Sequence, residues 1–242
     1  MVEQLLTIDT TFNFYSDSSG KDPDAYSPTL RNYHKQLWSK PLPSGKIFSL
    51  SDTDSSSYLI YKSEKDVMSL ASDSISNSYR NNKVLSSILK EISQEVDEFR
   101  NIGSTMGGYI LFPGTKIDGK MTINGARGFN QKIADRFDLT LECIRLHYQG
   151  MPNPLQSALT QNDSFFDLFE SFAGYVEFFL LQDLVSPNYG SIKFFTHLDK
   201  IFESSPLPQS KEEYLHYMKS SITFTSKRNE RIKRWSSEFN LD

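Results

Sequence analysis

The chain is nearly empty of cysteine, has no excess of positive charge and has no long apolar run. Each shortage excludes something. Its one cysteine, Cys143, rules out an internal disulfide and points to a reducing, cytoplasmic setting. The formal net charge of -4 removes any global basic surface for nucleic acid, so an anion site has to be local. The most apolar stretch, residues 165–185, is interrupted by Asp167, Glu170, Glu177 and Asp183 and reads as a buried helix rather than a membrane span. The first residues, MVEQLLTIDTTF, lack the basic and apolar regions of a secretory signal. No HExxH, paired cysteine or HxH suggests zinc, and no G-x-S-x-G elbow, Walker loop or kinase signature is present. The Arg-to-His spacing of one large group of compact helical ribonucleases is missing too.

What the chain does have is aromatic bulk: 18 Phe and 12 Tyr in 242 residues, enough for a sizeable core. Residues 7–15 alternate and favour a strand, and a turn-rich segment carrying Asp17, Lys21, Asp22 and Asp24 follows. Those three acids raise a divalent-metal hydrolase as the weakest option, because their spacing does not fit a calcium loop. Ser27 and Pro28 start a helix to about Ser39 that turns Leu30, Tyr33, Leu37 and Trp38 inward, with Arg31 and His34 sharing a face. Strands are expected at 47–50 and 58–61, with serine-rich loops at 51–57 and 72–78. The spacing from Val84 to Phe99 predicts one amphipathic helix over 81–101, ending at Gly103. Strands at 107–112 and 120–124 should pair through an Asp118-Gly119 turn. Residues 155–185 read as one or two helices, with an aromatic stripe for packing, and 192–196 as a buried strand. Ser210 and Glu213 form a capping box for a basic last helix holding Lys219, Lys227, Arg228, Arg231, Lys233 and Arg234.

The centre of the chain is TINGARGFNQKIADRFDLTLECIRLHYQG, residues 122–150. A loop over 124–128 should lead into a helix with Ile133, Phe137, Leu141, Ile144 and Tyr148 on one face. Asp135, Asp138, Glu142 and Arg145 form a second stripe, and Arg136, Thr140, Cys143 and His147 a third. A helix this apolar should be buried, so its charges need partners. Those partners are either one another, in a structural ion-pair network, or a ligand. In the ligand reading Arg127, Arg136 and Arg145 hold an anion, with Asn124, Arg31, Lys21, Arg228 and Arg231 as further binding groups. His147, Glu142 or His34 then moves a proton. Cys143, small and apolar in setting, is expected to be inert.

The expected architecture is α+β: one helix-rich domain over 1–242, with a small mainly antiparallel sheet and a central buried helix. Residues 1–80 would pack on a helical core formed by 81–242. The leading functional expectation is a phosphate-handling enzyme or binder acting on RNA or a nucleotide. The alternative is a non-enzymatic protein-interaction subunit, of a stress or phage-defence system, whose polar helix is structural. No cofactor and no metal-ligand set are assigned.

GKDPDAYSPTLRNYHKQLWSKPLPSGK, TINGARGFNQKIADRFDLTLECIRLHY, GYVEFFLLQDL and KRNERIKRW together resemble an uncharacterised bacterial family, a domain of unknown function. The resemblance spans nearly the whole chain in order and implies a single bacterial, cytoplasmic unit. It brings no reaction, substrate or catalytic residue.

Overall fold

A computed structural model describes residues 8–53, 58–63, 67–79, 82–83, 85–116 and 119–238. Thr7, residues 54–57, Val84 and Asp118, which enter the expectations above, lie outside the described residues. The fold is α+β. Its sheet has four antiparallel strands in the order β1-β2-β3-β4, formed by Leu50–Asp52, Leu59–Lys62, Val67–Ser74 and Tyr109–Pro113. The register places Tyr61 opposite Leu50, Leu70 opposite Leu59, and Asp73 opposite Ile110. Around it lie α1 (Pro23–Tyr26), α2 (Pro28–Trp38), α3 (Ser86–Glu91), α4 (Ser93–Gly103) and α5 (Ile123–Phe129). They are followed by α6 (Phe137–Tyr148), α7 (Gln156–Thr160), α8 (Asp163–Asp167), α9 (Phe172–Phe178) and the long α10 (Lys211–Glu238). One hydrophobic core runs through the described chain from Ile8 to Ile232. Among the described residues no helix is long and apolar enough to cross a membrane.

The expected start of α2 is present. Ser27 Oγ accepts from Leu30 N at 3.0 Å and Pro28 occupies the first turn, while Asp17 holds both Ser27 Oγ (2.6 Å) and Thr29 N (3.0 Å). The capping box of α10 is present in altered form. Ser210 Oγ accepts from Glu213 N at 3.2 Å, and the Glu213 carboxylate reaches Gln209 N at 2.6 Å.

Other elements differ, each for a local reason. The segment 72–78 is not all loop: Ser72, Asp73 and Ser74 end β3, whose polar side chains are claimed by partners distant in sequence. Residues 120–124 form no strand, because Thr122 Oγ1 accepts from Gly125 N at 3.1 Å and starts α5 at Ile123. β4 pairs with β3 alone, and Arg228 of α10 reaches the Tyr109 carbonyl at its head. The central stretch is therefore two helices. Its connection passes through Ala134 and Asp135 with φ of +46° and +59°, the left-handed region that breaks a helix. Ile133 reaches the core from this turn rather than from a helical face. The helix over 81–101 is interrupted at Ile92, and 155–185 is divided into α7, α8, α9 and a 3-10 turn at Gln182–Leu184. In place of strands, residues 192–196 make one isolated bridge, Val185 to Ile192, and Phe14–Ser16 is a 3-10 turn.

α10 crosses the end of β4 at very short range. A Cβ on Gly107 would stand 2.4 Å from Thr225 O, and one on Gly108 would stand 1.9 Å from Gly103 O, so only glycine fits. Asn229 closes the contact, accepting from Gly107 N at 2.6 Å and donating to Thr105 Oγ1 at 2.7 Å.

Candidate functional site

The charges of α5 and α6 are buried as expected, but they are divided among separate pairs. Arg127, fully buried, pairs with Asp73 and donates to Ser74 O (3.2 Å) and Asp135 O (3.1 Å). Its Nε lies 3.3 Å from Asp135 Oδ1. The left-handed turn that presents Asp135 is stapled from outside: Asn77 Nδ2 donates to Asp135 Oδ2 at 2.7 Å, and Tyr79 OH to Ala134 O at 2.9 Å. Arg136 and Asp138, both fully buried, form a two-pronged pair with Nε to Oδ1 at 3.0 Å. Arg136 also donates to Thr196 Oγ1 (2.7 Å) and Pro206 O (2.9 Å), and Asp138 accepts from Phe195 N at 2.8 Å. Every strong partner of this pair lies within the chain.

Glu142 and Arg145 pair across one turn of α6 through two bonds of 2.7 Å each. His147 Nε2 meets Asp163 at 3.1 Å, and its ring lies 5.2 Å from Phe166. His34 is elsewhere. Trp38 Nε1, which can only donate, gives its hydrogen to His34 Nδ1 at 2.9 Å, so the His34 proton sits on Nε2. Nε2 then donates to Ser72 Oγ at 3.0 Å, and Ser72 to Asp24 Oδ1 at 3.3 Å. Burial, with Arg228 nearby, pushes His34 down to about 3, so it stays neutral at ordinary pH. His34 and His147 are thus held in separate hydrogen-bonded settings rather than converging on Arg127.

The relay ends in a crowded acidic pocket of the fold. Burial, then the charges of Asp73 and Asp22, raise Asp24 well above the usual carboxylate range. Burial raises Asp73 to about 6 against the pull of Arg127, with Asp135 adding to the rise. The 21–24 segment therefore does reach the neighbourhood of Arg127, through β3. Among the described residues no group of three or more His, Cys, Asp or Glu is arranged to hold a metal ion.

The other sequence candidates are scattered. Asn124 is exposed on α5, and Lys21 is exposed with its Nζ 4.5 Å over the Tyr26 ring. Arg31 donates to Tyr58 O at 3.3 Å and lies 3.8 Å from Asp52. Arg231 is engaged by Asp183. Arg228 departs most from a solvated basic face: it is fully buried and donates to Phe179 O (3.0 Å), Gly107 O (2.9 Å) and Tyr109 O (2.7 Å). Cys143 is buried, and burial raises its thiol far above the ordinary range, which makes it inert at neutral pH.

One open basic feature remains on α10. A groove of about 340 Å³ is lined by Lys193, His216, Lys219 and Lys227, with Phe194 and Thr223 between them. All four basic side chains are exposed. Asp183, the acid in the lining, is occupied by Arg231. His216, Lys219, Thr223 and Lys227 recur at helical spacing and so were readable as one face. Lys193 joins them from a loop, with no local signal. Residues in the groove thus overlap the basic last helix of the sequence but not its arginines.

Comparison with curated proteins and with solved structures finds no match. The model of one family does match, over residues 8–232, which is nearly all of the described core. The chain belongs to the family described as "Family of unknown function (DUF6994)".

Proposed function

We propose that this protein is a cytoplasmic binder of a phosphate-bearing ligand, RNA or a nucleotide, and that the α10 groove is where it binds. The observation that carries this is the convergence of Lys193, Lys219, Lys227 and His216 on one cleft whose acid, Asp183, is already paired. Three lysines supply point charges for phosphate oxygens. Phe194, half-buried beside them, offers a ring face to a base. The net charge of the chain is negative, so attraction to the groove is local. His216 is the group there that could move a proton, which keeps a phosphoryl or RNA-cleaving reaction open to assay.

Fluorescence anisotropy with a labelled single-stranded oligoribonucleotide, competed with ATP, tests this directly. The double substitution Lys219→Glu/Lys227→Glu, at exposed positions, should weaken binding at least about tenfold and shrink the log–log salt slope by about 1.4. Equal binding by the variant, or none by the native protein, sinks the proposal.

The second reading, a non-enzymatic interaction subunit of a stress or defence system, draws on a different observation. The charges of α5 and α6 already have partners within the chain. On that reading, changes at Arg127 and Arg136 lower stability and leave ligand binding by the folded fraction untouched.

A further inference from the structure

Lys40 sits where a lysine rarely sits. It follows α2, and its backbone is fixed on both sides: Lys40 N donates to Trp38 O at 2.8 Å, and Phe48 N donates to Lys40 O at 2.9 Å. The residue is only 6% exposed. Its Nζ lies 5.0 Å from the Trp38 ring, 4.7 Å from Phe178 and 5.0 Å from Trp235. Among the described residues the amine makes no salt bridge and no hydrogen bond, although Lys has three donors. Arg228 lies against the same Trp38 ring, its guanidinium carbon 5.5 Å from the ring centre, and is matched by carbonyls rather than by a carboxylate.

Lys40 lines a cleft of about 510 Å³ together with Pro41, Pro43, Ala173, Phe178 and Trp235. Glu170 and Glu177 stand exposed at its rim. Glu170 is held there by a left-handed backbone, φ +61°, and Glu177 accepts from Tyr189 OH at 2.7 Å. Burial in an apolar recess and a second cation nearby both favour the neutral, nucleophilic form of lysine, against the ring faces of Trp38, Phe178 and Trp235, which favour the ammonium. Burial first, then Arg228, lowers Lys40 to about 7, which is consistent with that setting.

We propose that Lys40 is a nucleophilic amine that condenses with a small uncharged aldehyde or ketone in this cleft. The neutral Nζ lone pair forms a bond to the carbonyl carbon, and the C=O π pair moves to oxygen, which gains a proton as the nitrogen gives one up to solvent. The resulting carbinolamine hydroxyl takes a further proton and leaves as water, the nitrogen lone pair closes the C=N bond, and the nitrogen releases its second proton. Amine and carbonyl become imine and one water, with no change of oxidation state. The acidic rim disfavours anionic keto acids, which selects for an uncharged carbonyl compound.

The test is reductive trapping of the full-length protein with benzaldehyde and cyanoborohydride, followed by peptide mapping. At pH 7 an ordinary lysine is about 0.04% neutral, so Lys40 should be alkylated at least about tenfold faster than the exposed Lys46 and Lys200. Its rate should level off just above pH 7. The Lys40→Met variant should lose the fast phase and keep the slow one. Should that variant fail to fold, the native protein's pH profile decides alone. Trapping at Lys40 no faster than at Lys46, or a Lys40 rate that keeps climbing to pH 9, overturns the proposal.

Discussion

Arg136 and Arg228 are both fully buried, yet the fold treats them in opposite ways. Arg136 faces Asp138 across a two-pronged ion pair, and that charge holds its guanidinium above the ordinary range despite burial. Arg228 faces carbonyl dipoles, and burial lowers it to about 9. A carboxylate returns most of what desolvation takes away, whereas a carbonyl returns only part. The α5–α6 side of the molecule is therefore electrostatically closed, its buried cations Arg127 and Arg136 each answered by a carboxylate within the chain. The side around Trp38 buries Arg228 and Lys40 with, among the described residues, no carboxylate paired to either.

The comparison breaks most visibly at Asp138. Asp138→Ala strands Arg136 as a buried cation and should cost about 3–5 kcal/mol in denaturant unfolding. A loss below about 1 kcal/mol would mean that Thr196 and Pro206 suffice alone. The next effect is on pH dependence. Folding raises Asp73 from 3.8 to about 6, so its contribution is fully present below about pH 4 and is lost as pH rises through 6. Asp73→Asn should remove roughly 2 kcal/mol of that fall, read from unfolding curves at pH 4 and pH 7. An unchanged slope would assign the titration to Asp24 instead. Arg228→Met should cost roughly 1–2 kcal/mol, because the lost carbonyl bonds are offset by no longer burying a cation. If it costs as much as Asp138→Ala, the two regions are not different in kind. Smallest is Arg145→Ala, where the half-buried Arg145 leaves the buried Glu142 at the edge of one helix and about 1 kcal/mol is expected.

Much of the architecture was legible in local chemistry. Ser27-Pro28, Ser210 with Glu213, and the aromatic stripe from Phe165 to Phe179 each announce their element through neighbours a few residues away. What could not be read depended on partners far along the chain. β3 looked like a serine-rich loop because nothing near Ser72 or Asp73 reveals that His34 and Arg127 claim them. The break between α5 and α6 is held by Asn77 and Tyr79, more than fifty residues earlier. The burial of the polar central helix followed from its pattern, but its division into separate pairs did not, since spacing does not say which acid meets which base. Lys40 carried no sequence signal at all; its setting is assembled from Trp38, Phe178 and Trp235, three separate parts of the chain.

The bonds from Arg228 to Gly107 O and Tyr109 O have a consequence beyond electrostatics. β4 is a terminal strand, and its outward carbonyls are where another strand would dock. A guanidinium from α10 takes the acceptor of Tyr109 at the head of β4 and that of Gly107 in the turn before it, imitating the amides of an absent neighbour. The opposite border, β1, is three residues long and carries Asp52, which Lys35 engages. Each border of the sheet thus carries a charged side chain, at Tyr109 O on one and at Asp52 on the other, a feature that works against edge-to-edge stacking.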